Sequence, residues 1–111
     1  MSNDWAETLA EMQKNTALMK KANPEILTAF QGMRISNHTK QALDAKTREL
    51  MAVAVAVALH CKGCIASHVA HAKKLGATSE EIGAAVGVAM SISAGSAYTY
   101  GIDALHAYEH V

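Results

Sequence analysis

Met51-Ala52-Val53-Ala54-Val55-Ala56-Val57-Ala58-Leu59 admits two readings, and the choice between them sets the fold class. Alternation of alanine with a β-branched residue has the period of a strand. Alanine, however, is a poor strand former and the best helix former, and both faces of this run are apolar, so helix is the preferred reading. Asp44 has the side chain of an N-cap and places the helix at about Ala45 to Leu59. A helix apolar all round must be buried, by its own domain or by a neighbouring subunit.

Downstream, the next helix is expected to start at the Cys61–Cys64 segment and end near Leu75, with Gly76 as its C-terminal cap residue. Thr78-Ser79-Glu80-Glu81 has the Thr-x-x-Glu form of a capping box and opens a helix carrying Ile82, Val86, Ala89 and Met90. Gly83 and Gly87 on that helix read as a close helix–helix contact. The run Ser91 to Gly95 is expected to break or bend the chain before a final helix with Tyr98, Ile102, Leu105 and Tyr108. Upstream, residues 34–43 read as a connection. Asn23 is a plausible N-cap and Pro24 a plausible first residue of a short helix, with Ile26, Leu27, Phe30 and Met33 inward. Trp5, Leu9, Met12, Thr16 and Met19 form one helical stripe. With no strand, repeat or low-complexity segment in evidence, the expectation is an all-α bundle of about six helices, one domain over residues 1–111.

The composition excludes several classes of function. Lys plus Arg equals Asp plus Glu, so the formal net charge is zero and nothing suggests a basic nucleic-acid surface. A chain this neutral gains little solubility from charge, which fits one that hides surface in an oligomer. The N-terminus lacks a basic region followed by an apolar run, so no secretory signal is read. The longest apolar run, Leu50 to Leu59, is ten residues, too short to span a bilayer. A cytoplasmic protein with no membrane partner is expected. There a lone pair of cysteines three apart is catalytic or metal-binding rather than a structural bridge.

Those cysteines sit in Cys61-Lys62-Gly63-Cys64-Ile65-Ala66-Ser67-His68. A CxxC at a helix start puts two thiols within disulfide reach, and the unpaired N–H groups there favour a thiolate, the form that attacks peroxides and disulfides. His68 follows Cys64 by one helical turn on the same face, placed to take its proton. Glu49 lies twelve residues before Cys61, about 18 Å along a continuous helix. If the Cys61–Leu75 helix folds back antiparallel, His68 returns to within about one turn of Glu49. The carboxylate then orients the imidazole toward Cys64 in a Glu–His–Cys relay.

Glu49, eleven residues, Cys61-x-x-Cys64, three residues and His68 resemble the signature of the alkylhydroperoxidase D branch of the carboxymuconolactone decarboxylase family. The flanks Asp44-Ala45-Lys46-Thr47-Arg48-Glu49-Leu50 and Leu75-Gly76-Ala77-Thr78 agree, and the resemblance covers roughly Leu43 to Tyr108. It implies an all-helical fold assembled as trimers or hexamers, and reduction of a hydroperoxide substrate in antioxidant defence through a Cys61–Cys64 disulfide. By that resemblance Cys64 attacks the peroxide, Cys61 resolves the sulfenic acid, and a reducing thiol partner, a lipoylated protein in the best-known members, supplies electrons. No cofactor and no metal are implied. Some members carry a histidine immediately before the second cysteine, where this chain has Gly63, while His60 stands just before the first. The family's true lactone decarboxylases lack the CxxC.

Other readings stay open at this level. Cys61, Cys64 and His68 are conceivable zinc ligands, with His60, His71 or Glu49 as a fourth, in a non-catalytic metal-held or redox-sensing module. A lyase acting on a carboxylated lactone needs an acid/base site but no redox thiols. Glu49 also reads as a solvated first-turn carboxylate, or as a partner for Lys46 or Arg48. His71, His106 and His110 read as ordinary surface histidines and stay outside the expected site, His60 either tunes Cys61 or ends a helix, and Tyr98 and Tyr100 read as packing residues.

Overall fold

A computed structural model describes residues 4–39 and 42–111 of the chain. Among the described residues there are five helices and no strand: α1 (Trp5–Ala22), α2 (Pro24–Thr39), α3 (Ala45–Ala58), α4 (Lys62–Lys74) and α5 (Ser79–His110). The Ala/Val run is helical. α3 and α4 form an antiparallel hairpin, α5 packs on α3, α1 packs on α4, and α2 has α1 as its main neighbour.

Local chemistry accounts for most of the boundaries. Asp44 accepts the Thr47 backbone N–H at 2.7 Å and starts α3. Thr78 accepts the Glu81 backbone N–H at 3.1 Å while the Glu81 carboxylate accepts that of Thr78 at 2.9 Å, so the capping box of α5 is complete. Asn23 ends one helix and begins the next. Its backbone N–H donates to the Met19 carbonyl at 2.8 Å, and its side-chain oxygen accepts the Ile26 N–H at 3.2 Å. α3 and α4 both close with the paired bonds of a Schellman motif. At the end of α4 the left-handed residue is Gly76, at φ 87°. At the end of α3 it is His60, at φ 58°, where the His60 N–H reaches the Val57 carbonyl at 3.1 Å and the Cys61 N–H that of Ala56 at 2.9 Å. A non-glycine residue there costs on the order of 1–2 kcal/mol. That cost assigns His60 to the turn.

Two boundaries differ from expectation. The bend expected at Ser91–Gly95 does not occur: α5 runs unbroken for 32 residues, which is why the described residues form five helices and not six. Within that run the Ser91 hydroxyl bonds back into the helix, to the Gly87 carbonyl at 2.9 Å, and no proline interrupts the ladder. Likewise α2 continues to Thr39, so the expected 34–43 connection is helical over its first part; its residues 40 and 41 lie outside the described residues. The residues expected inward on α2 are mostly open. Leu27 is half-buried, but Ile26, Phe30 and Met33 are exposed, because α1 covers only part of α2.

The core is narrow. Val53 and Ala56 of α3, Ala66 and Ala72 of α4 and Ala89 of α5 are buried. Four of these five are alanines, so the helix axes approach closely, and enlarging one would overpack the seam at a cost of about 1–3 kcal/mol. Glu49, Val53 and Ala56, spaced four and three apart, make one buried stripe on α3. The opposite stripe, Met51, Val55 and Leu59, is uncovered by this chain, with Val55 58% exposed. The second half of α5 is exposed throughout. It is also the one helix among the described residues long and apolar enough to cross a bilayer, with a mean hydropathy of 1.3 over its most apolar window.

Candidate active site

Glu49 is the buried charged side chain among the described residues, at 5% exposure. Removing a carboxylate from water is costly unless it is paired and hydrogen-bonded. Its partner comes from the returning helix: Glu49 Oε2 lies 2.6 Å from His68 Nδ1. α3 supplies Glu49 from its buried stripe, and α4 supplies His68 from the turn after Cys64. The sharp His60 corner sets the register between them.

Cys61 and Cys64 are paired in a disulfide, their Cα atoms 5.2 Å apart. Cys61 is the N-cap of α4, and its sulfur accepts the Cys64 backbone N–H at 3.2 Å. That bond, with the helix dipole behind it, favours negative charge on sulfur once the pair is reduced. Cys64 and His68 together line a cleft of about 400 Å³ whose apolar wall includes Leu43, Met51, Val55 and Leu59, with Asn37 and Arg48 at its polar side. The same pair also lines a second cleft with Met12, Phe30 and Arg34 from the first two helices.

α1 lies across the CxxC segment. The Lys62 ammonium sits 5.5 Å from the centre of the Trp5 ring, a cation–π contact. A Cβ on Gly63 would stand 2.6 Å from the Met12 thioether sulfur. The space beside position 63 is therefore filled by α1, and any side chain there would have to displace Met12.

All four expected site residues, Glu49, Cys61, Cys64 and His68, come together. His71, expected to be an ordinary surface histidine, lies beside them: its Nδ1 is 4.0 Å from Glu49 Oε1 and its ring is 6.0 Å from that of His68. Its position three after His68, on the same helical face, was the available signal. Met12, Phe30, Arg34 and Asn37 carried no such signal, because only the packing of α1 and α2 brings them to the cleft. His60 is exposed and holds the turn, while His106 and His110 lie on the open face of α5. With the cysteines bonded to each other, the zinc reading that used both thiols lacks two of its ligands in this state.

Residues 24–107 match the sequence model of the Carboxymuconolactone decarboxylase family. An uncharacterized protein of Haemophilus influenzae is 42% identical over 97% of this chain and 96% of its own length. Uncharacterized protein 4 in the cox locus of Paracoccus denitrificans is 37% identical over 82% of each. The crystal structure of a carboxymuconolactone decarboxylase family protein from Legionella pneumophila superposes with a TM-score of 0.75, at 35% identity, covering 98% of this chain and 97% of that one.

Proposed function

The chain belongs to the carboxymuconolactone decarboxylase family, and from that premise we propose that it is a thiol-dependent peroxidase of the alkylhydroperoxidase D type. The carrying observation is the buried Glu49 carboxylate 2.6 Å from His68, the residue that lines one cleft together with Cys64.

In this reading the Cys64 thiol gives its proton to His68, which Glu49 holds in position. The thiolate attacks the distal oxygen of a hydroperoxide. The O–O bond breaks, an alcohol leaves with the returned proton, and Cys64 becomes a sulfenic acid. Cys61 then attacks that sulfur, water leaves, and the Cys61–Cys64 disulfide forms. A dithiol of the lipoyl class restores both thiols with two electrons. The apolar wall of the cleft suits an organic hydroperoxide better than hydrogen peroxide.

The reading includes assembly. The chain exposes 8625 Å², where a compact monomer of its mass would expose about 5,900 Å². Its radius of gyration is 17.9 Å, against about 13 Å for a compact chain of this length. Covering the exposed second half of α5 with further copies, in a trimer or a hexamer of two trimers, accounts for the excess surface and leaves the α3 stripe as the cleft wall.

The test is turnover of cumene hydroperoxide with dihydrolipoamide as reductant, alongside a count of free thiols. The expected result is turnover, with two thiols per chain lost to peroxide and restored by dithiothreitol. A protein that keeps both thiols through peroxide treatment, or whose activity survives Cys64→Ser, is not this enzyme.

A further inference from the structure

Glu49 faces two imidazoles, not one. His68 Nδ1 lies 2.6 Å from Oε2 and His71 Nδ1 lies 4.0 Å from Oε1, so the same ring atom of each histidine converges on one carboxylate. The three side chains can each offer a donor atom such that all three lie within 4.8 Å of one another. A relay to Cys64 needs one imidazole on Glu49, and His71 has no part in it. Two neutral imidazole nitrogens and a carboxylate are a borderline donor set, suited to zinc and its first-row neighbours rather than to calcium or magnesium.

We infer that Glu49, His68 and His71 form a three-ligand site for a divalent transition cation of the zinc class, separate from the cysteines. Tetrahedral zinc with bonds of 2.0–2.1 Å holds its donors about 3.3 Å apart. Glu49 and His68 already stand closer than that, so the cation would separate them slightly and draw His71 in. The His71 side chain is 45% exposed, which gives it room to turn and the ion a way in, while the Glu49 side chain, at 7%, is a fixed anchor. Three protein ligands leave the fourth position open, as in zinc sites that bind a further group. An imidazole bound to the cation cannot take a proton from Cys64, so occupancy switches off thiol activation. That consequence rests on the peroxidase reading; the binding itself does not.

The probe is zinc chloride titrated into untagged protein in its disulfide form, where neither cysteine can ligate, with bound metal read by equilibrium dialysis and elemental analysis. His106 and His110, whose rings lie 4.2 Å apart on α5, are a rival pair and are first replaced by asparagine. One zinc per chain is expected in that background. His71→Asn should then weaken binding at least roughly tenfold, the lower end of what loss of even an outer partner costs a metal site, with helix content by circular dichroism unchanged. Cobalt in place of zinc should give the visible absorption of a tetrahedral ion. No binding in the His106/His110-free background, or binding indifferent to His71→Asn, overturns the site. In a second arm the protein is reduced and loaded with the one zinc per chain that His71→Asn releases; an unaltered rate of thiol oxidation by peroxide there leaves the site standing and overturns the relay instead.

Discussion

Glu49 and His68 are nineteen residues apart in sequence and 2.6 Å apart in the fold. Glu49→Gln keeps the shape of that contact and removes its charge. We expect single-turnover oxidation of Cys64 by hydroperoxide to slow by about 10²-fold, the lower end of general-base contributions, because the N-terminus of α4 still favours a thiolate. Thiol loss followed by stopped flow measures it. An unchanged rate would make Glu49 a structural residue and end the relay.

The two cysteines are distinguished by position. Cys64 shares its cleft walls with His68, whereas Cys61 caps α4. Cys64→Ser should abolish peroxide reduction. Cys61→Ser should react once and stop at a sulfenic acid or mixed disulfide, detectable by mass spectrometry as a single added oxygen or adduct. Trapping of the opposite species would exchange the attacking and resolving roles.

Sedimentation equilibrium should give a trimer or hexamer at micromolar concentration. Leu105, 70% exposed on α5, is on the surface assigned to neighbouring copies. Leu105→Glu should shift the distribution to smaller species and lower the melting temperature. A well-folded native monomer contradicts the assembly, and extraction only in detergent would assign α5 to a bilayer.

Acid should loosen the seam between α3 and α5. The Lys46 ammonium, 2.9 Å from Glu81, holds the Glu81 carboxyl below its usual value of 4.5, assisted by the Thr78 N–H. The Thr47 N–H bond does the same for Asp44, whose usual value is 3.8. Both shifts are depressions, so the stability they bring is present above the usual values and is lost as pH falls through the folded ones. Lys46 is raised by Glu81, so its share holds below its usual 10.5 and disappears as pH rises through the folded value. Thermal melts should show falling midpoints below about pH 4.5. Glu81→Gln, which keeps an acceptor for the cap, should flatten that decline and narrow the effect of salt at pH 7.

The sequence by itself determined the helical class, the starts of α2, α3 and α5, the stop of α4 at Gly76, and the Cys61–Cys64 segment opening α4. These are decided within about four residues, where a side-chain oxygen meets an orphan N–H or a glycine takes a left-handed turn. The same local rules misled at Ser91–Gly95, because a serine that can break a helix can equally bond back to its own carbonyls. For Glu49 they offered a first-turn carboxylate or, on condition that α4 folds back, a partner for His68, and could not choose between the two. In Met51–Leu59 every position is apolar, so the buried stripe that continues Glu49 through Val53 to Ala56 is chosen only when α4 and α5 pack on it. The contact of Glu49 with His68 was conditional on the α3–α4 hairpin closing, while the approach of His71 to Glu49 and the placing of Met12 and Phe30 in a cleft with Cys64 were decided by tertiary structure alone. Each joins residues on different helices, and such a contact exists only once the intervening chain has turned and its closure entropy is offset by the packed seam.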